Sequence, residues 1–371
     1  MDIDFSNRLK KIEEILSQAL PQHYSTAWRK ASFAELDDCV SDIHLNSLVT
    51  PCRNLLLLGG KRWRPLLLVL CAEMTADFLN KKTGADKTKL VENACRVTPL
   101  VEFVHTASLI HDDIEDSADM RRGKPAAHIT FGLDTAINAG SWLYFEAASC
   151  IETLDVCMET KNKLYRLYAQ ELRRLHLGQA MDILWHRTPS LIPTEQEYRE
   201  MVRSKTGTLA SLAAQAGIIV AGGSEEDAAK AGKIAAQIGV GFQILDDVQN
   251  LTTGNPGKIR GDDIVENKKS LPVLMHLKNF PDDREKIADL MAKAAKDGIT
   301  SPAVEECIAI LEKGGQIKAA FEEGVELVKQ KSAELTGLYM QDSGNADEHS
   351  AISRLFARMV PDLKKSEQAK K

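Results

Sequence analysis

Apolar residues return at three- to four-residue intervals along nearly the whole chain, the period of an amphipathic α-helix. No stretch alternates as a half-buried strand does. The pattern predicts helices over 5–20, 31–58, 65–79, 90–117, 133–153, 162–184, 195–222, 225–251, 272–278, 282–297, 302–335 and 346–359. Ser224 with Asp227, and Thr194 with Glu197, have the spacing of a helix-opening capping box. Gly59–Gly60 and TTGNPG at 252–257 interrupt the pattern. SLAAQAGIIVAGG (211–223) is apolar almost all round, as a helix in the centre of a bundle must be. No linker rich in Pro, Gly or Ser divides the chain. The expectation is an all-α fold, a single-domain bundle of about 10–13 helices.

Composition changes this picture little. A net charge of −6, from 47 basic and 53 acidic residues, is mild for 371 residues. It argues against a nucleic-acid partner, whose phosphates call for a basic surface. Seven scattered cysteines with no CxxC read as free thiols of a reducing compartment. The N-terminus lacks the layout of a signal peptide, and no apolar run approaches the ~20 residues that span a bilayer. A soluble protein of the cytoplasm, with no transmembrane segment, is expected.

The concentrated chemistry lies in LIHDDIEDSADMRRGKPAAHITFG (109–132). Asp112 and Asp116 are four apart and share one helix face, where like charges destabilise a bare helix. A hard divalent cation would compensate, and carboxylate pairs that leave positions open for water suit Mg²⁺. The plainer reading is a solvated acidic helix end. A second cluster shifts the balance: GFQILDDVQN (241–250) ends another apolar helix with Asp246–Asp247, and Asn250 stands where a third Asp would complete D-D-x-x-D. Opposed helices carrying two such rims are how bundles build metal sites.

The cations complement the carboxylates. LLGGKRWRP (57–65) places Lys61 and Arg64 after a flexible Gly–Gly and before a new helix, whose N–H groups also favour anions. Arg121–Arg122 offer planar forks suited to phosphate oxygens. Lys205, Lys258 and Lys268 lie near further turns. Any one of these could be a surface ion pair. Together they describe a site for diphosphate, bound directly by cations and through Mg²⁺ by carboxylates.

GGKRWRP, HTASLIHDDIEDSADMRRGKPAAHITFG, HLGQAMD (176–182), KTG (205–207), GFQILDDVQN and GKIRGDDIVENKKSLP (257–272) resemble the trans-isoprenyl diphosphate synthases, the polyprenyl synthetase family, in order and spacing from about 45 to 272. GSWLYFEA and HLGQAMDILW look most like geranylgeranyl diphosphate synthases. The resemblance implies a deep central cavity walled by helices, a homodimer, and condensation of isopentenyl diphosphate with an allylic diphosphate. It implies Mg²⁺, about three ions per site, at Asp112, Asp113, Asp116, Asp246, Asp247 and Asn250. The catalytic set it implies is Asp112, Asp116, Lys205, Asp246 and Lys268. Carried over by position, Gly60, Lys61, Arg64, His105 and Arg122 hold isopentenyl diphosphate. Arg121, Lys205, Thr206, Gln243, Lys258 and Lys268 hold the allylic diphosphate. Gln179 and Asp182 read as supporting or packing groups.

Two departures stand out: Asn250 for the family's last Asp, and Asn267 where Gly usually precedes the lysine. Chain length is expected to depend on residues below Asp112. Ala107 and Ser108 are small where fifteen-carbon synthases generally have an aromatic. Phe103, Val104, Trp142, Tyr144 and Phe145 are candidate floors for a deeper pocket, and equally are ordinary core residues. A twenty-carbon product is expected, with longer chains next. The alternatives are a farnesyl diphosphate synthase, a non-catalytic subunit of a heteromeric prenyltransferase and a terpene cyclase. The resemblance implies a catalytic domain over 45–363, with residues 1–44 a helical extension packed on it and 364–371 a charged tail.

Overall fold

The computed structural model describes residues 5–254, 259–339 and 350–361. The chain groups into two compact units, Met1–Glu171 with Ser211–Gly232, and Leu172–Ala210 with Lys233–Lys371. Both are helical, as the periodicity requires. The only strand pair among the described residues is a two-residue hairpin in the first unit, Met120–Arg121 against Lys124–Pro125.

The first unit is organised on helix Thr98–Glu115, whose apolar positions Leu100, Val101, Phe103, Val104, Ala107 and Ile110 are all buried. It packs mainly against Leu133–Glu146, and also against Trp63–Thr83 and Ser6–Ala19. Gly217 brings Thr208–Val220 against Trp63–Thr83 so closely that a Cβ there would lie 2.2 Å from the Leu68 carbonyl. The N-terminal segment is held by specific contacts. Arg8 donates to both carboxylate oxygens of Glu73 at 2.8 and 2.9 Å. Phe33 stacks on Trp142 with ring centres 6.0 Å apart. Trp142 is thus a support for helix Thr26–Phe33.

The second unit has its own core, in which Tyr198, Val202, Ile244, Val248, Ile264, Leu271, Ile287 and Ile308 are buried together. Glycines allow three segments to meet there. A Cβ at Gly178 would stand 2.3 Å from the backbone nitrogen of Lys205, and one at Gly207 would stand 2.7 Å from the Ala236 carbonyl oxygen.

Several expected helices are two. The span 90–117 breaks into Lys87–Arg96 and Thr98–Glu115, because Pro99 has no N–H to continue the ladder. The Thr98 hydroxyl donates to the Cys95 carbonyl at 2.7 Å instead. The span 31–58 is replaced by Thr26–Phe33 and Asp42–Leu57, the first ending at Ala34 with φ +58°. The span 302–335 divides at Gly315, whose φ of +83° suits glycine. The span 133–153 is Leu133–Glu146 and Ser149–Glu152. The span 195–222 runs Glu195–Val202, then a π-helical turn Arg203–Gly207, then Thr208–Val220. Positions 346–349 of the last expected helix lie outside the described residues, and its remainder is Ala351–Ala357.

Candidate active site

In the first unit the site begins where helix Thr98–Glu115 stops. Ser117 takes φ +54°, the Ala118 N–H donates to the Asp113 carbonyl at 2.8 Å, and the Ser117 N–H donates to the Ile114 carbonyl at 3.2 Å. This is a Schellman end with serine in the glycine position. Asp112, Asp113 and Asp116 therefore crowd onto the negative end of a helix dipole, where carboxylates are disfavoured and cations attracted.

One compensating cation is Arg121. Its Nε donates to Asp113 Oδ1 at 2.7 Å and its Nη2 to the same oxygen, with Asp112 3.6 Å away. The hairpin that delivers it turns on Arg122 and Gly123, both with positive φ (+52° and +74°), as a tight two-residue turn demands. The pattern of apolar positions gives no sign of so short a hairpin; the R-R-G-K sequence at its tip does. Asp113 is 1% exposed, so among the three carboxylates it is the one that ties down the hairpin. Asp112 and Asp116 are half-buried on the other face.

Behind the hairpin lies a cluster of guanidiniums. Arg62, at φ +46°, donates to Glu13 at 2.7 Å, to Glu102 at 2.6 Å and to the Leu56 carbonyl at 2.5 Å. Sequence reasoning passed over Arg62 and Glu102, since a buried ion pair leaves no local pattern. Arg64 faces His105 Nε2 at 3.4 Å. A guanidinium only donates, so that ring nitrogen accepts and the imidazole is neutral. Burial and then Arg64, Arg122, Arg121 and Arg62 hold His105 well below the usual histidine range. Arg122 makes no hydrogen bond or ion pair recorded among the described residues. Burial, with Arg62 and Arg121 beside it, draws it down against the pull of Glu102. Gly60 lies against it: a Cβ there would be 3.1 Å from Arg122 Nη2. Gly60, Arg64, His105 and Arg122 thus lie together, and Lys61, next to Gly60, is exposed.

Below the carboxylates, Phe103, Val104 and Ala107 are fully buried, while Ser108 is half-buried with its hydroxyl donating to the His105 carbonyl at 2.8 Å. Tyr144 stacks on His111, ring centres 5.5 Å apart. Phe145 departs from its expected place beside Tyr144: it is 77% exposed, because consecutive helical residues point about 100° apart.

In the second unit, Asp246 is exposed, whereas Asp247 and Asn250 face inward. Asp247 accepts from the Tyr198 hydroxyl (2.6 Å), Gln243 Nε2 (3.0 Å) and the Leu271 N–H (3.3 Å). Burial and the charge of Asp263 push its pKa upward. Asn250 is 0% exposed; its Oδ1 accepts from the Asp263 N–H at 3.2 Å and its carbonyl from the Gly261 N–H at 3.0 Å. It shapes the turn leading to Lys268, and an aspartate is not needed for that.

The π-helical turn carries Lys205 and Thr206. Such an inserted residue re-aims side chains within a helix. Lys205 Nζ donates to Asp182 at 2.6 Å, and Thr206 to Gln243 Oε1 at 2.9 Å. Burial opposes the Asp182 charge, yet Lys205 and then Lys268 hold its carboxylate below the ordinary range. Lys268 pairs with Glu266 and lies 3.8 Å from Asp263. Asn267 takes φ +56°, the left-handed geometry that glycine adopts freely. Lys258 lies outside the described residues.

Among the described residues no three carboxylate, histidine or cysteine side chains converge tightly enough to hold an ion alone. Mg²⁺ commonly takes only one or two carboxylates, completing its shell with water and substrate phosphate. Asp112 and Asp116, at a helix end that attracts cations, fit that use. No helix among the described residues is long and apolar enough to cross a membrane.

Residues 45–310 match the family model described as Polyprenyl synthetase. Geranylgeranyl pyrophosphate synthase 2 of Zymoseptoria tritici is 37% identical over 221 residues, 59% of this chain and 63% of that protein. The short chain isoprenyl diphosphate synthase of Methanothermobacter thermautotrophicus is 31% identical over 312 residues, 83% of this chain and 90% of that one. Among solved structures, geranylgeranyl pyrophosphate synthetase from Pyrococcus horikoshii superposes with a TM-score of 0.74 at 28% identity, over 96% of each chain.

Proposed function

The chain belongs to the polyprenyl synthetase family, and on that premise we propose that it is a trans-prenyltransferase joining isopentenyl diphosphate to an allylic diphosphate, with a twenty-carbon diphosphate as main product. The observation that carries this reading is Arg122: a half-buried guanidinium with no partner among the described residues, beside Arg62 and Arg121 and against Gly60. Arg62 and Arg121 already pair with carboxylates, and a diphosphate would supply the anion for Arg122.

In this reading Arg64, Arg122, Lys61 and the Gly60 backbone hold isopentenyl diphosphate, beside a His105 kept neutral. Lys205, Thr206, Gln243 and Lys268 hold the allylic diphosphate. Asp112 and Asp116, and in the second unit Asp246, would hold Mg²⁺, which would supply Lewis-acid stabilisation of the charge on the departing diphosphate. The allylic C–O bond breaks, the C=C electron pair of isopentenyl diphosphate forms the new C–C bond, and the released diphosphate takes the proton. Asp113 and Asp247 act indirectly, by positioning Arg121 and Gln243.

We also infer a homodimer. Leu133, Ile137 and Phe145 are exposed apolar residues at multiples of four along Leu133–Glu146, a stripe that a second copy of this chain would cover.

The test is incubation of the purified protein with Mg²⁺, labelled isopentenyl diphosphate and allylic primers of five, ten and fifteen carbons, followed by sizing of the products. A dominant twenty-carbon product is expected. A dominant fifteen-carbon product would remove the chain-length argument, and failure to consume isopentenyl diphosphate would remove the catalytic one.

A further inference from the structure

The second unit contains a cavity of about 280 Å³ that the catalytic reading leaves unused. Its walls are apolar, chiefly Ile192, Val265, Val273, Leu277, Ile287 and Met291. One end is polar. Lys269, 8% exposed, reaches it with an ammonium that among the described residues donates only to Asn267, at 3.1 Å to the backbone carbonyl and 2.7 Å to Oδ1. Among the described residues no carboxylate pairs with Lys269. Glu266 also lines the cavity, but its charge is engaged by Lys268. His186 contributes a buried Nδ1 with no hydrogen-bond partner.

A buried ammonium without a counter-ion is costly, and an anionic ligand would offset that cost. Burial draws Lys269 down to about 8, which leaves it mainly charged at neutral pH and short of solvation. Lys269 is the one buried cation of the lining and matches one negative charge; Arg284, the other cation there, is exposed. At ~30 Å³ per heavy atom the volume holds about nine or ten.

We propose that this cavity is a second ligand site for a medium-chain carboxylate, with the head group on Lys269 and His186 and the tail along Val273, Leu277, Ile287 and Met291. The site stands on the geometry of the second unit and does not depend on the catalytic assignment. It does adjoin that assignment, since Glu266 and Asn267 line the cavity and flank Lys268.

Calorimetric titration of the full chain with octanoate tests it. The expected result is saturable binding of one octanoate per chain, unchanged by Mg²⁺ with inorganic diphosphate and weakened about tenfold or more when octanol replaces octanoate. Lys269→Met is expected to weaken binding by a similar factor. Ala292→Trp, at an exposed position of the cavity wall, is expected to abolish it. Circular dichroism and melting of both variants establish that they are folded. Absence of saturable binding, displacement by Mg²⁺–diphosphate, or parent-like binding in both folded variants would each overturn the proposal.

Discussion

Arg121 donates through Nε and Nη2 to a single carboxylate oxygen of Asp113, a residue that is 1% exposed. The carboxylate in the middle of the acidic motif is therefore an anchor for the hairpin, and under the proposed function its neighbours Asp112 and Asp116 are the metal ligands. Asp112→Asn and Asp113→Asn should consequently fail in different ways. Asp112→Asn is expected to lower turnover by about 10²-fold or more and to raise the Mg²⁺ requirement, with little change in melting. Asp113→Asn breaks a buried pair and is expected to cost about 3 kcal/mol of stability, read by denaturant titration. Equal Mg²⁺ dependence in the two variants would place Asp113 among the ligands after all.

Arg122 and Gly60 form a second separable pair. Arg122→Ala removes charge-assisted hydrogen bonds worth about 1.5–3 kcal/mol, which is about 10- to 100-fold in KM for isopentenyl diphosphate. Gly60→Ala is expected to raise the same KM without touching a charge. Its Cβ would lie 3.1 Å from the guanidinium, at a φ of +152°. Steady-state kinetics with each substrate varied would sink the assignment if the allylic substrate's KM rose instead.

His105 gives the pH dependence of stability. Its folded pKa is depressed, by burial and then by Arg64, Arg122, Arg121 and Arg62. The unfolded imidazole, near 6.5, binds a proton that the folded one refuses. The unfolded state thus binds more protons below about pH 6.5, and the contribution of this residue falls by up to ~1.4 kcal/mol per pH unit as pH drops further. Above pH 6.5 it is flat. Urea titrations from pH 7 to pH 5 should show the slope reduced in His105→Gln.

Product length distinguishes Ser108 from Ala107. Ser108 is half-buried, so Ser108→Phe is expected to shorten the main product by one five-carbon unit, read by chromatography of the dephosphorylated alcohols. Ala107 is fully buried, and Ala107→Phe is expected to destabilise the protein by about 1–3 kcal/mol through overpacking. An unchanged product with Ser108→Phe would move the chain-length determinant elsewhere.

The apolar stripe predicts the assembly. Ile137→Glu puts a charge in the middle of Leu133, Ile137 and Phe145 and is expected to convert a dimer to monomers in light scattering. A parent protein that is already monomeric would refute the interface.

Some of this was written in local residue order. The 3.6-residue period sets the helices, four-residue spacing puts Asp112 and Asp116 on one face, and Gly59–Gly60 marks the break before Arg64, because each depends only on neighbours a turn or two apart. The breaks at Pro99 and Gly315 are equally local, but the apolar period runs through both. What each polar residue does was decided by partners far along the chain. Asp247 meets Tyr198 across 49 residues and Arg62 meets Glu102 across 40. Phe33 stacks on Trp142, and Lys269 reaches a cavity formed with helix Arg284–Asp297. Asp112 and Asp113, or Lys268 and Lys269, are alike in sequence. Packing buries one of each pair, Asp113 against Arg121 and Lys269 at the cavity, and leaves the other more exposed, since adjacent positions on a helix or loop point in different directions and only the folded chain supplies what they meet.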